Sequence, residues 1–237
     1  MKLVIIGATG HVGSRVMTQA LATGHAVTTI TPHPETVRRR KRLKVVRGST
    51  SDPGAVAHAA RGADVVVVSL TGKTRDGTLM QARLPSIIRG LKRAGSPRLV
   101  LVSAFGAGDT IDKAPWYMRL VYRYVLGRIM HDKTASDNLL MASGIPWTII
   151  YPVNLKNSVA TGTAVSLRLD QVTKVPGLPI LAFDDAAAAI LAAAEDPDTQ
   201  GSQIIVTTAK GFRRARPGAD VGQRGTFCTE SNRLRTK

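Results

Sequence analysis

Seven residues close to the amino terminus, Gly7-Ala8-Thr9-Gly10-His11-Val12-Gly13, have types and spacing that suit anion binding through the main chain. They follow a short apolar run, Leu3 to Ile6, and open a stretch with helical periodicity. Glycine permits a tight turn with unusual φ and lets the backbone approach a ligand closely. The free N–H groups at a helix start then face that ligand, and the positive end of the helix dipole favours negative charge there. Strand, glycine turn and helix in this order form the arrangement that grips a dinucleotide's pyrophosphate. The plain alternative is a glycine-rich strand-to-helix turn without a ligand; the strand–helix alternation that follows favours the dinucleotide. Gly7, Thr9, Gly10, His11, Val12 and Gly13 are therefore the first cofactor-binding candidates.

Two further places bear on chemistry. In a parallel sheet, ligands gather outside the carboxyl ends of the strands. Ser103 ends the apolar run Arg98 to Ser103, and Tyr151-Pro152 end the run Trp147 to Tyr151. A serine there is also a common turn former. After the second run, Ala26 to Ile30, an NAD site usually sets an acid against the ribose 2′-OH. Here Thr31-Pro32-His33-Pro34 follow, and Glu35 comes several residues late. The cationic stretch beyond it, Arg38, Arg39, Arg40, Lys41 and Arg42, would suit a 2′-phosphate. NADP(H) is favoured over NAD(H) on this ground, with Arg38 and Arg39 as candidates; the alternative is a solvated basic loop.

The elements that must position these groups alternate regularly. Strands are expected at Leu3–Ile6, Ala26–Ile30, Lys44–Val46, Asp64–Leu70, Arg98–Ser103 and Trp147–Tyr151, and several are near-continuous Val, Ile and Leu. That is the pattern of strands buried on both faces. Helices are expected at 11–22, 53–61, 78–94, 116–142 and 184–195, and Gly24, Gly62, Gly95 and Gly144 stand where αL caps are wanted. The alternation implies an α/β fold with a parallel sheet and right-handed crossovers. Residues 152–180, with three prolines and two glycines, predict a loop or small lobe over the strand ends. Asp184-Asp185 open an alanine-rich helix, and Gln203–Thr207 is expected to be a last strand. The polar, basic residues 209–237 are expected to be a disordered tail beyond a single domain of 1–208.

Charge and composition exclude several classes. The formal net charge is +17. Residues 38–47 hold seven cations and no acid, and residues 211–237 hold seven cations and two acids. The excess therefore sits in one loop and one tail, and the sequence has no reading motif with interleaved aromatics, so a nucleic-acid partner is not expected. The apolar runs fall short of the ~20 residues a spanning helix needs, and no secretory signal is evident, so no membrane partner and a cytoplasmic location are expected. One cysteine, Cys228, excludes a disulfide framework and a thiolate zinc site; no metal is expected.

The Gly-x-x-Gly-x-x-Gly spacing of residues 7–13 resembles the atypical, NmrA-like branch of the short-chain dehydrogenase/reductase superfamily. Within it, the chain is similar to the small NAD(P)H-binding reductases of the biliverdin reductase B and flavin reductase type. Ser103-Ala104-Phe105-Gly106, the run Leu139 to Pro152 with Ser143-Gly144-Ile145-Pro146-Trp147-Thr148-Ile149 at its centre, and Asp184-Asp185-Ala186-Ala187 carry the same likeness over about residues 1–208. The resemblance implies a single Rossmann-type doubly wound sheet with a small substrate-side loop region. It places Ser103 beside the nicotinamide as a candidate catalytic hydroxyl. It also sets Ser49 and Thr50 near the adenine, and Leu70, Thr71 and Gly72 along the adenosine ribose and pyrophosphate. Lys133 stands where relatives often keep a lysine, a second catalytic candidate able to contact the nicotinamide ribose or carboxamide, and Asp137 where they have Glu or His. Two departures are plain: Pro32 stands where relatives often have Arg, and Ser49 where they often have Asp.

Conventional members use a Tyr-x-x-x-Lys pair as proton donor. Tyr117, Tyr122 and Tyr124 are followed four residues later by Val121, Leu126 and Arg128, so alcohol oxidation is disfavoured. Hydride transfer from NAD(P)H to a planar small-molecule acceptor, a flavin or quinone, is the expected reaction. Phe105, Trp116, Tyr117 and Tyr151 are candidate pocket walls. A non-catalytic NADP-sensing regulator, and an epimerase or carbonyl reductase, remain open, as do monomer and homodimer.

Overall fold

The structure is a computed structural model that describes residues 1–70, 78–177 and 179–215. The first half builds β1 (Lys2–Ile6), α1 (His11–Ala22), β2 (Ala26–Thr31), β3 (Leu43–Arg47), α2 (Pro53–Ala60), β4 (Val65–Val68), α3 (Leu79–Arg93) and β5 (Arg98–Val102). The second half adds α4 (Trp116–Tyr124), α5 (Gly127–Met141), β6 (Trp147–Pro152), β7 (Leu155–Lys156), β8 (Ala164–Arg168), β9 (Val172–Lys174), β10 (Leu181–Ala182), α6 (Phe183–Glu195), β11 (Ser202–Thr208) and β12 (Arg213–Arg214). The main sheet has the order β3-β2-β1-β4-β5-β6-β11-β8.

The central strands β4 and β5 are buried along their whole length, as their unbroken apolar runs require, whereas the edge strand β3 has one buried residue. α1 packs on α6 on one face, and α2, α3 and α5 pack together on the other. The order reverses between β1 and β4, so the turn after β1 opens into the crevice where doubly wound sheets take ligands. Gly24, Gly62, Gly95 and Gly144 all have positive φ after their helices, as expected. No helix among the described residues is long and apolar enough to cross a membrane.

Three features differ from the sequence reading. The expected helix 116–142 is two helices: Leu126 leaves helical geometry at φ −108° and ψ 10°, and Gly127 starts α5. The break falls at the weakest helix former in the stretch. Residues 152–180 are more than a loop region, because β8 joins the main sheet antiparallel to β11, while β7 pairs with β10 and β9 with β12 in two small satellites. The sheet is thus parallel except at one edge. Beyond 208 the chain makes a further turn, and β12 pairs with β9 at Arg213 and Arg214, so structure continues into the expected tail; the rest of that tail lies outside the described residues.

Candidate cofactor and active site

The glycine turn follows from local necessity. Gly7 has φ +93°, and a Cβ there would stand 2.1 Å from the Ser69 carbonyl oxygen. A Cβ on Gly13 would stand 2.2 Å from the Gly7 carbonyl oxygen. The two glycines therefore let α1 lie close against the ends of β1 and β4. Gly10 is the N-cap and provides no side-chain cap; its N–H closes the turn on the Gly7 carbonyl at 3.0 Å. The first-turn amides of His11, Val12 and Gly13 have no intrahelical acceptor by construction. These amides, with the dipole behind them and no acid in the first turn, fit a pyrophosphate. Thr9 and His11 are exposed at the mouth of the turn, and Val12 is buried behind it. Leu70 lies beside Gly7, its Cδ2 3.4 Å from where that Cβ would be. Thr71 and Gly72 lie outside the described residues.

A group around α1 was missed by the sequence reading. His11 stacks on Phe183 with centroids 5.1 Å apart, and the Arg15 guanidinium lies over the same ring at 5.1 Å. Arg15 also donates to Asp184 Oδ2 at 3.1 Å and to Asn157 Oδ1 at 2.9 Å. The glycine turn is thereby tied to the start of α6 and to the 152–180 segment. Asp185, beside Asp184, instead accepts from the Thr161 and Gly162 amides at 2.9 Å each and from the Thr161 hydroxyl at 2.8 Å. The only hint in the sequence was the acid pair itself.

The basic stretch is divided in its contacts. Arg40 donates to Thr18 Oγ1 at 3.0 Å, and Arg42 to the Gly24 carbonyl at 2.6 Å, along the flank of α1. Arg38 and Arg39 are exposed and make no side-chain hydrogen bond or ion pair among the described residues. Arg47, at the carboxyl end of β3, reaches Glu35 at 3.7 Å. Ser49 is spent on a local turn, accepting from the Ser51 amide at 3.2 Å, with Thr50 half-buried next to it.

A second, buried group sits where β5 and β6 end against α5. Ser103 donates its hydroxyl hydrogen to Asp137 Oδ2 at 2.8 Å. Asp137 is 1% exposed, and its other oxygen, Oδ1, has no hydrogen-bond partner among the described residues. Lys133, one turn earlier on α5, is also buried and donates to the Val102 carbonyl at 3.2 Å. Tyr151 completes the group, its phenol close enough to Asp137 for each to shift the acidity of the other. Pro152 is buried at the end of β6 and accepts from the Phe105 amide at 3.2 Å.

Burial pushes the Asp137 carboxyl up to about 6, while the Ser103 hydrogen bond, the Tyr151 phenol and the Lys133 charge pull it back. Burial lowers the Lys133 ammonium, opposed by Asp137 and Asp132. Burial and the Asp137 charge raise the Tyr151 phenol. Lys133 is thus no solvated surface residue. Ser103, Lys133 and Tyr151 lie around Asp137, which the sequence reading did not name as a site residue. Of the expected walls, Phe105 is buried edge-on against Tyr122, whereas Trp116 and Tyr117 are exposed on α4. Among the described residues no group of three or more His, Cys, Asp or Glu is placed to hold a metal ion.

Comparison with known proteins bears on the family and the fold. A family model described as NAD(P)H-binding matches residues 7–197. A Bacillus subtilis protein described as the uncharacterized sugar epimerase YhfK is 24% identical over 87% of this chain and 94% of its own length. Pinoresinol reductase 1 of Arabidopsis thaliana is 27% identical over 63% of this chain and 48% of its own, so the match spans about half of that enzyme. Among solved structures, the oxidoreductase ylbE of Lactococcus lactis superposes with TM-score 0.75 at 19% identity, covering 90% of this chain and 93% of that one. ChuY, an anaerobilin reductase of Escherichia coli, gives 0.69 at 21%, covering 92% and 100%. A Streptococcus pneumoniae protein provisionally described as an NADH–flavin reductase gives 0.70 at 17%, covering 88% and 99%. The match from the glycine turn at Gly7 through α6 shows that the chain belongs to the NAD(P)H-binding family.

Proposed function

We propose that the protein is an NADPH-dependent reductase that passes hydride to a small planar acceptor such as a flavin or a quinone. The observation that carries this reading is the Ser103–Asp137 pair, buried at the carboxyl ends of β5 and β6 with Lys133 and Tyr151 around it. A bound nicotinamide would supply the hydride. The chain's own residues hold and orient. The amides of His11, Val12 and Gly13 take the diphosphate, Leu70 packs beside it, and Arg38 and Arg39 are the cations free to meet a 2′-phosphate.

Proton handling falls to Asp137 and Ser103. When Asp137 is ionised, Ser103 spends its hydrogen on Oδ2. When Asp137 is protonated, its own hydrogen can go to Ser103 Oγ, and the serine hydroxyl is freed to donate to an acceptor carbonyl. The lone Oδ1 favours that protonated form, since a carboxylate oxygen buried without a donor is costly. Lys133, held at the Val102 carbonyl, works against burial and favours ionisation of Asp137 from within the protein. The missing Tyr-x-x-x-Lys pair is consistent with an acceptor that needs little proton help. Relatives described as pinoresinol, anaerobilin and, provisionally, flavin reductases lend support at the level of reaction type.

The test is to mix purified protein and NADPH with a panel of flavins and quinones and follow the loss of NADPH absorbance. Turnover with at least one acceptor is expected, falling about 100-fold in Ser103→Ala where the acceptor carbonyl must take a proton. Tight NADPH binding with no oxidation by any acceptor would instead make the protein a nucleotide sensor.

A further inference from the structure

We propose that the exposed face of α4 docks the protein on an anionic lipid bilayer, as a contact in the plane of the surface rather than a crossing. Eleven large apolar side chains are exposed among the described residues, and seven of them fall within residues 116–129, so they form a patch and are not scattered. On α4 the rows Trp116, Leu120, Tyr124 and Tyr117, Val121, Val125 each repeat every four residues and share one side. Met118 and Tyr122 point the other way, into the core, where Tyr122 packs edge-on to Phe105 at 6.2 Å. Trp116, Tyr124 and Val125 are 74%, 77% and 74% exposed, which burial against this protein does not repay.

Charge chooses the occupant. From Lys113 to His131 there is no acid, while Lys113, Arg119, Arg123 and Arg128 are cationic. Arg119 and Arg123 form a row along the edge of the apolar face. Arg119 is tied to Asp112, but Arg123 and Arg128 make no ion pair among the described residues. A second copy across a two-fold axis would bring these arginines toward their own images. The chain's own residues 211–237, with seven cations to two acids, have the wrong sign. An anionic surface that also accepts aromatic and aliphatic groups meets both demands. Tryptophan, tyrosine and arginine on one helix are the residues that settle at the headgroup level.

The inference does not depend on the proposed reaction, and its test reads no turnover. The full chain is spun with vesicles of phosphatidylcholine alone and of phosphatidylcholine with phosphatidylglycerol. Sedimentation with the anionic vesicles is expected, and little with the neutral ones. The triple variant Trp116→Ser, Tyr124→Ser, Val125→Ser keeps every charge and should bind at least tenfold more weakly. Arg123→Gln with Arg128→Gln should lose about fivefold per cation. Thermal unfolding at an unchanged temperature shows that each variant is folded. The proposal is overturned if the full chain stays in solution with anionic vesicles, or if the triple variant binds them as well as the parent. It is overturned equally if the parent is a dimer that the triple variant breaks, since the face would then be a self-interface.

Discussion

Asp137 sets burial against three polar neighbours, and burial prevails. Its folded pKa of about 6 lies above the ordinary 3.8, so the native state holds a proton that the unfolded chain releases. Stability from this group is full below pH ~4 and is lost as the pH rises towards about 6. Asp137→Asn, which keeps an acceptor for Ser103 and drops the charge, should therefore raise stability at neutral pH by about 1–3 kcal/mol, measured by denaturant unfolding. The same variant should lose the pH dependence of acceptor reduction. With the parent, kcat/KM for an acceptor that needs a proton should decline above about pH 6. A variant that is both less stable and pH-dependent would show that Asp137 is structural and ionised. Gly13 makes a second prediction. The 2.2 Å approach to the Gly7 carbonyl leaves no room for a methyl group, so Gly13→Ala must move α1 away from the turn. NADPH affinity by calorimetry should fall at least tenfold while the far-UV spectrum stays helical.

Elements are joined by a few long-range polar contacts, of which Arg98 is the densest. At the start of β5 it donates to the carbonyls of Asp196 at 2.7 Å, Ala193 at 3.3 Å and Ala194, and to Thr199 Oγ1 at 2.8 Å. The fork thus closes the carboxyl end of α6, where the helix dipole favours a cation. Burial lowers its pKa only in competition with nearby Asp196. Arg98→Ala should cost about 3 kcal/mol, and Arg98→Lys should not restore it, because a lysine lacks the planar fork. Asp132 does similar work for α3, accepting from the Met80 amide at 3.0 Å and the Gln81 amide at 2.9 Å across a gap of 52 and 51 residues. The acids beside Asp137 and at the start of α6 thus serve different ends: Asp132 and Asp185 hold backbone, and Asp137 is left with an oxygen to spare.

For the whole molecule, the proposed preference for NADPH rests on the free cations of the loop between β2 and β3. Arg38 and Arg39 carry no partner among the described residues, whereas Arg40 and Arg42 are already engaged. Arg38→Ala with Arg39→Ala should weaken NADPH about tenfold or more and leave NADH nearly unchanged, as competition binding can measure. Equal loss for both nucleotides would assign the cluster to general attraction. Arg40→Ala should change neither by more than a small factor, since its side chain is spent on Thr18.

Local chemistry was enough to determine the first six strands and the helices α1 to α3 between them, the glycine turn after β1 and the αL glycines, because each depends on neighbours in the chain. Val65–Val68 reads as a buried strand, and Gly7 to Gly13 reads as a turn, without knowing what lies across from them. Contacts between distant residues were beyond that reach. Ser103 meets Asp137 across 34 residues, and Arg15 meets Asp184 across 169. The side of α4 left open, the antiparallel β8 at the sheet edge and the site's centre at Asp137 were likewise settled only by tertiary packing. A carboxyl's acidity and a face's exposure depend on what surrounds them in space, and the order of residues does not record it.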